Sequence, residues 1–363
     1  MKFTVSREKL LKALQRVNST IGSRNTLPIL GNVLVEAAGN MVSLTTTDLE
    51  IRIVTRVEAE VLEAGSTTIP AKRLLALVSN FEDAVVSIAS DERHHAEVTC
   101  GTSCFKLLGI APEDFPGAGE LTPVRTITFK GADLKRMLGQ IIYAITLNDS
   151  RKVLHGMLVS VRDGVVTMVA TDSKRLAMTE RSMESISGGN GDCIIPLLAA
   201  QEIKRQADAK DDITLEIGEK MARFSTADTV LTSKLIEGNY PNYRQVIPGT
   251  FRQIIPVSTA ALLSKIGLVS QVLADSTGCI VLNFSAGKLE LKAASSDIGE
   301  GSAELPVEFD GEPLTASFNP AFLADPMRFA DCETMSIKIN DGLSPVAIDG
   351  GDGFVYVLMP MHH

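Results

Sequence analysis

Tryptophan is absent from this chain of 363 residues, and tyrosine occurs four times. A platform of aromatic rings for stacking nucleic-acid bases is therefore not on offer. Cysteine occurs five times, an odd and scattered set that spells no disulfide framework. Cys100 and Cys104 form the one near pair, within Cys100-Gly101-Thr102-Ser103-Cys104, and read as a hairpin. Zinc would need more ligands, and His94-His95 is poorly placed to supply them. No apolar run approaches the roughly 18 residues that cross a bilayer. The opening Met1 to Leu14 carries charges where a signal peptide has an apolar stretch, so a cytoplasmic chain is expected. Basic residues are also short, 35 against 44 acidic, for a net charge of −9. Taken alone, that argues against binding phosphates.

Catalytic signatures are missing as well. Gly188-Gly189-Asn190-Gly191 and Gly350-Gly351-Asp352-Gly353 are glycine-rich, but neither leads from a strand into a helix with a phosphate-loop lysine. They read as turns. Asp48 and Asp172 suggest an acid–base pair, but a turn or capping role fits them better, because a third copy of the motif carries serine there. No catalytic residue, metal ligand or cofactor is assigned.

What is present is a folded chain, 45% hydrophobic and 22% charged, long enough for two or three domains. It repeats itself. Ile29-Leu30-Gly31-Asn32-Val33-Leu34-Val35, running on to Thr47-Asp48, matches Val153-Leu154-His155-Gly156-Met157-Leu158-Val159, running on to Thr171-Asp172. Leu30 to Leu154 and Asp48 to Asp172 share one offset of 124. A weaker third copy reads Gly278 to Phe284 and ends near Ser295-Ser296. Strands ending in proline before a helix recur at Pro70, Pro196 and Pro320, and a turn recurs as Asp114-Phe115-Pro116 and Asn239-Tyr240-Pro241. The period is too long for a solenoid and implies three copies of a domain, at 1–124, 125–253 and 254–363.

Within one copy, Phe3-Thr4-Val5 alternates like a strand. Ser6 is placed to cap a helix whose Leu10, Leu11, Leu14 and Val17 recur at helical spacing. A β-α-β-β-β pattern performed twice gives two helices and about eight strands per copy. That is an α+β fold with helices on one face of a sheet.

The basic residues gather on the expected helices, 6–18, 71–80, 131–141, 197–207, 258–272 and 320–330. These hold twelve basic and four acidic residues, a net of +8, leaving −17 to the rest of the chain. Lys9, Lys12 and Arg16 form a stripe opposite the leucine face. With Lys72, Arg73, Lys204 and Arg205 they suggest a positive surface for phosphates on an otherwise repelling molecule. Base reading is not expected.

The chain resembles the bacterial sliding clamps, the beta subunits of DNA polymerase III. The residues that carry the likeness span its length: Met1 to Val5, Thr26 to Asn32, Thr47 to Glu50, Ala170-Thr171-Asp172 with Arg175-Leu176-Ala177, Thr232 to Leu235, Tyr240 to Arg244, and Met359-Pro360-Met361. The resemblance implies the DNA-clamp fold: three repeated domains per chain, two chains head to tail in a ring, helices lining the hole and sheet outside. It implies a non-catalytic processivity factor on duplex DNA, with Arg24 and Asn148 added to the DNA-facing set. It implies a peptide groove comprising Arg151, Leu154, Thr171, Ser173, Lys174, Arg175, Leu176, Pro241, Val246, Asn319, Phe322, Leu343, Ser344, Val346, Val357, Met359, Pro360 and Met361. There the replicative polymerase, the clamp loader and repair proteins would dock short linear motifs. It implies a homodimer joint at Phe105 and Leu107 on one side and Val272, Leu273, Asp297, Glu300 and Glu304 on the other.

Some positions depart from the family's pattern. Ser173-Lys174 stands for Gly-His, Gln245 for arginine, Leu197-Leu198 for a basic pair, and Thr102 and Cys104 for arginines at the joint. Pro326 is expected to break or kink the last helix. Two other readings stay open at this level: a peptide-binding scaffold without DNA, and a metal-dependent DNA-processing enzyme.

Overall fold

The computed structural model describes residues 1–22, 27–274 and 278–361. The expectation for Arg24 lies outside the described residues. Six α-helices are present among them: α1 Arg7–Val17, α2 Ala71–Asn80, α3 Gly131–Ile141, α4 Leu197–Gln206, α5 Thr259–Val269 and α6 Pro320–Phe329. Each lies within three residues of its expected limits, so the +8 charge total stands.

The chain divides into two compact units. The first comprises Met1–Ala132, Ser185–Gly188 and Glu202–Leu235; the second comprises Asp133–Glu184, Gly189–Gln201 and Ile236–His363. Strands of the central repeat are thus shared between them.

The first unit holds two antiparallel sheets. One has nine strands, in the order Ile186–Gly188, Arg125–Lys130, Asp212–Ile217, Met221–Ser225, Thr229–Lys234, Ile51–Glu58, Met41–Thr47, Asn32–Ala38 and Gly65–Pro70. The other has five: Glu60–Glu63, Lys2–Ser6, Val85–Ser90, Ala96–Cys100 and Ser103–Leu107. Leu10, Ala13, Leu14 and Val17 of α1 are buried, and that face packs on α2 and on strands Met41–Thr47 and Ile51–Glu58. Ser6 holds the N-cap position in extended conformation, but its hydroxyl accepts no helix N–H. Ser258 and Asn319 do make that bond at α5 and α6. The turn between Cys100 and Ser103 is the expected hairpin.

The second unit holds an eight-stranded sheet, in the order Gly191–Pro196, Gly156–Arg162, Val165–Thr171, Arg175–Ser182, Phe354–Leu358, Val346–Gly351, Thr334–Ile339 and Gln253–Ser258. A four-stranded sheet completes it: Gly299–Pro306, Lys288–Ser295, Ile280–Ser285 and Leu314–Phe318. Here α5 packs against α6 and against the strands Lys288–Ser295 and Gly299–Pro306.

The offset of 124 is visible as duplicated hydrogen bonding. In the first copy, Thr47 Oγ1 donates to Ile51 O at 2.8 Å and accepts from Leu49 N at 3.1 Å. Asp48 Oδ1 accepts from Glu50 N at 2.9 Å and Ile51 N at 2.7 Å. In the second, Thr171 Oγ1 donates to Arg175 O at 2.6 Å and accepts from Ser173 N at 3.2 Å. Asp172 Oδ1 accepts from Lys174 N and Arg175 N, both at 3.0 Å. The two aspartates therefore build turns. Leu49 and Ser173 sit at the matching corner with φ of 78° and 71°, in the left-handed region. Glycine would hold this corner without strain.

Pro326 does not break α6, which runs unbroken through it. Proline has no N–H to offer the carbonyl of Phe322, four residues back. The Tyr356 hydroxyl takes that place and donates to Phe322 O at 2.8 Å. Burial pushes the Tyr356 pKa far up, so the phenol stays a donor. Tyr356→Phe should therefore leave a buried carbonyl unpaired and cost about 1–3 kcal/mol. In a Pro326→Ala background the helix can supply its own N–H, so the same change should cost much less. Amide exchange of α6 in the four proteins of this cycle measures the difference, and equal costs in both backgrounds would refute the pairing.

Candidate functional site

The residues expected to form the groove gather within the second unit. Strand Phe354–Leu358 pairs with strand Arg175–Ser182, setting Leu176 opposite Val357 and Arg175 opposite Leu358. Met359 N continues the ladder to Lys174 O at 3.0 Å, and Met361 N bonds Ser317 O at 2.7 Å. The chain end is thus held on both sides by backbone. Beneath it lies an apolar cluster of Leu158, Val169, Leu176, Met178, Tyr243, Ala347 and Val357, flanked by Tyr240, Ile247 and Phe251.

The apolar residues among those expected fall into three groups. Leu154, Leu176, Val346, Val357 and Pro360 are buried and form floor and support. Leu343, Val246 and Met359 are open, at 71%, 47% and 42% exposure, and give the groove an apolar rim. Pro241, Phe322 and Met361 are half-buried.

Polar members hold the frame. Arg175 is 10% exposed. Its Nε donates to Asp172 Oδ2 at 3.0 Å, one terminal nitrogen pairs with Asp325, and the other donates to Tyr143 O at 2.7 Å. Its guanidinium lies 4.2 Å from the centre of the Phe322 ring. Burial works against its charge, but Tyr356, Asp172 and Asp325 more than reverse this and raise its pKa. Arg151 grips Asp149 with two nitrogens, at 2.9 and 2.8 Å, and reaches the Ser173 hydroxyl. That grip holds the Asp149 carboxyl well below the usual range. Asn319 caps α6 by accepting from Ala321 N and Phe322 N, and Ser344 bonds Asp341. Lys174 keeps an exposed side chain.

Sequence reasoning missed Asp325 and Tyr143, which complete the Arg175 site. It also missed Tyr243 and Ala347 as floor residues. Asp325 lies 150 positions from Arg175, with no local signal. Tyr243 was within reach, since it belongs to the Tyr240 to Arg244 motif.

The basic helix residues are mostly exposed and partly paired. Lys9 meets Glu58 at 2.7 Å, Lys12 meets Glu8 at 2.7 Å, and Arg16 pairs with Asp228. Lys72 donates to Gly22 O at 2.9 Å, and Arg73 is exposed. Exposed pairs of this kind are weak and readily exchanged for phosphates. Lys204 is half-buried and Asn148 exposed. Arg205 is more fixed: it pairs with Glu202 at 2.7 Å and donates to the carbonyls of Arg16 and Gln15, closing the C-terminal end of α1.

Two of the sheet-edge strands among the described residues carry the expected joint residues. Ser103–Leu107 ends its five-stranded sheet, with Phe105 41% exposed and Leu107 half-buried. Gly299–Pro306 ends the four-stranded sheet, with Glu300 and Glu304 exposed. Val272 lies beside Gly301 of that strand. Leu273 is half-buried and Asp297 exposed. Among the described residues, no group of three or more His, Cys, Asp or Glu could hold a metal. No helix among them is long and apolar enough to cross a membrane.

Three consecutive family models match this chain: the N-terminal, central and C-terminal domains of the DNA polymerase III beta subunit, at residues 1–119, 128–242 and 244–362. A beta sliding clamp of Chlamydia muridarum is 31% identical over 361 residues, covering 99% of each chain. The crystal structure of the DNA polymerase III subunit beta from Pseudomonas aeruginosa has a TM-score of 0.95 at 30% identity, covering 100% of both chains. That of a C. crescentus beta sliding clamp, with polyethylene glycol at a proposed beta-motif tethering region, has a TM-score of 0.94 at 29% identity over the same coverage. The three-domain clamp architecture and the full-length match agree, and the chain belongs to the DNA polymerase III beta subunit family, the DNA sliding clamps, which act as processivity factors without catalysis of their own.

Proposed function

We propose that two copies of this chain close head to tail around duplex DNA in the cytoplasm, and that the groove of the second unit tethers the replicative polymerase, the clamp loader and repair proteins. Strand Ser103–Leu107 of one copy pairs with strand Gly299–Pro306 of the other, since both edges are open and an unpaired edge invites a partner. Phe105 and Leu107 then meet Val272 and Leu273, while Asp297, Glu300 and Glu304 border the seam. Lys9, Lys12, Lys72, Arg73, Lys204 and Asn148 face the phosphates. A closed ring needs only weak contacts, which explains how a chain of charge −9 holds DNA. The domain limits we favour are 1–124, 125–253 and 254–363.

The observation that carries the docking site is the anchored chain end, which lays Met359 open over the apolar cluster of Leu176 and Val357. Methionine suits a site that must accept several related motifs. Deleting Met359 to Met361 should weaken a clamp-binding polymerase peptide at least about a hundredfold in a fluorescence titration, roughly 2.7 kcal/mol. Dimerisation, followed by sedimentation, should be unchanged. Unaltered peptide affinity would refute the assignment.

A further inference from the structure

The first unit carries a second cleft, of about 520 Å³, on the sheet face opposite α1. Along strand Ile51–Glu58 the residues alternate. Ile51, Ile53, Thr55 and Val57 are buried toward the helix side, while Arg52, Val54 and Arg56 point the other way. Neighbouring strands continue the cleft floor in register: Arg52 stands opposite Thr232, Thr232 opposite Arg223, and Arg223 opposite Glu216. The segment Pro116 to Gly119 closes one side. It is tied down, because Arg52 donates to Pro116 O at 2.7 Å and Gly119 lies so close to Met221 that a Cβ there would meet its sulfur at 2.9 Å.

This cleft occupies the duplicated position of the docking groove. The offset of 124 carries Arg52 to Leu176 and Val54 to Met178. Strand register carries Thr232 to Val357, Val230 to Val355 and Arg223 to Ala347. Lys234 N bonds Glu50 O at 3.0 Å, as Met359 N bonds Lys174 O. The frame is thus the same, but the chemistry has been exchanged. Where the groove floor has leucine, valine and alanine, this one has arginine, threonine and arginine. Four cations, Arg52, Arg56, Arg223 and Lys234, line it against two anions, Glu50 and Glu216. Arg223 meets Glu216 at 3.5 Å and Lys234 meets Glu50 at 2.9 Å. Among the described residues, neither Arg52 nor Arg56 has a carboxylate within ion-pair distance. Arg52 rests 5.6 Å from the Phe115 ring centre. By contrast Arg175, one residue before Leu176 in the groove, is paired with two carboxylates.

We infer that this cleft is a second docking site, which takes an extended acidic peptide. Carboxylates of the peptide pair with Arg56, Arg52 and Arg223, whose planar forks suit them. The methylene groups of its glutamate side chains lie on Val54, Val230 and Met221. Glu50 and Glu216 interrupt the positive field, which disfavours the unbroken phosphates of a nucleic acid. The inference stands on the first unit alone and survives failure of the groove assignment.

The test is a fluorescence-anisotropy titration of the full chain with a labelled octapeptide of alternating glutamate and leucine. Alternation places the carboxylates on one face of an extended chain. Saturable binding is expected, with lysine in place of glutamate abolishing it. Arg56→Glu, at an exposed position that should not disturb folding, should weaken binding at least about tenfold, and Arg223→Ser should weaken it further. Deleting Met359 to Met361 should change it less than about twofold. Absence of saturable binding, indifference to Arg56→Glu, or loss on deleting Met359 to Met361 would each overturn the site. Tighter binding of an oligothymidylate that displaces the peptide would overturn the occupant.

Discussion

Arg175→Met should destabilise the second unit by about 3–5 kcal/mol, the usual cost of removing one partner from a buried ion pair. Asp172 and Asp325 have side chains only 13% and 14% exposed, and both face the Arg175 guanidinium. Without it, among the described residues, Asp172 has no ion-pair partner and Asp325 keeps only Arg328, at 3.4 Å. Tyr143 O also loses its donor, and the Phe322 face loses its cation. Methionine fills most of the volume, so the loss reports charge rather than a cavity. Converting Asp172 and Asp325 to asparagine in the same chain should restore a large part of the stability, because the uncompensated charges are then gone. Amide exchange across strands Arg175–Ser182 and Phe354–Leu358 measures this directly. A loss under about 1 kcal/mol would mean that water reaches the carboxylates and that the network is a surface feature. Peptide affinity should fall in parallel, since Arg175 opens the strand that pairs with the chain end.

The contrast between Leu176 and Arg52, which the offset of 124 pairs, shows what the duplication allowed. Both follow the same kind of Thr-Asp turn, whose hydrogen bonds hold Ile51 in one copy and Arg175 in the other. The turn fixes backbone direction, and the strand that follows sets alternate residues on either face. Which chemistry fills those faces is free to diverge. One copy has built an apolar groove, the other a cationic cleft.

Much of this was legible in the chain itself. The offset of 124, the Thr-Asp pairs and the proline-terminated strands are local signals, and the helices lie where leucine spacing and those prolines place them. The charge division between helices and the rest follows from the same limits. The likeness to the sliding clamps then named the groove. What stayed hidden depends on partners far apart in sequence. Pro326 reads as a break until Tyr356, thirty-four positions beyond Phe322, supplies the missing donor. Arg205 reads as a DNA-facing cation until the carbonyls of Gln15 and Arg16, about 190 positions away, are seen to hold it. The cationic cleft draws on five strands, the turn at Leu49 and Glu50 and one connecting segment, no two of which announce it alone. Nor does any local pattern say that strands of the central repeat join two different sheets.

The central claim is topological, and so is its most direct test. A ring holds DNA because the duplex is threaded through it, with the basic helix residues adding only weak, salt-sensitive contacts. Clamps loaded by a clamp loader onto a nicked circular plasmid should stay with it through gel filtration at 0.2 M salt or more. One cut that linearises the plasmid should release them, lowering retention at least about tenfold, while blocking the cut ends with bound protein should restore it. Retention on open-ended linear DNA equal to that on the circle would contradict encirclement and leave an ordinary DNA-binding surface in its place.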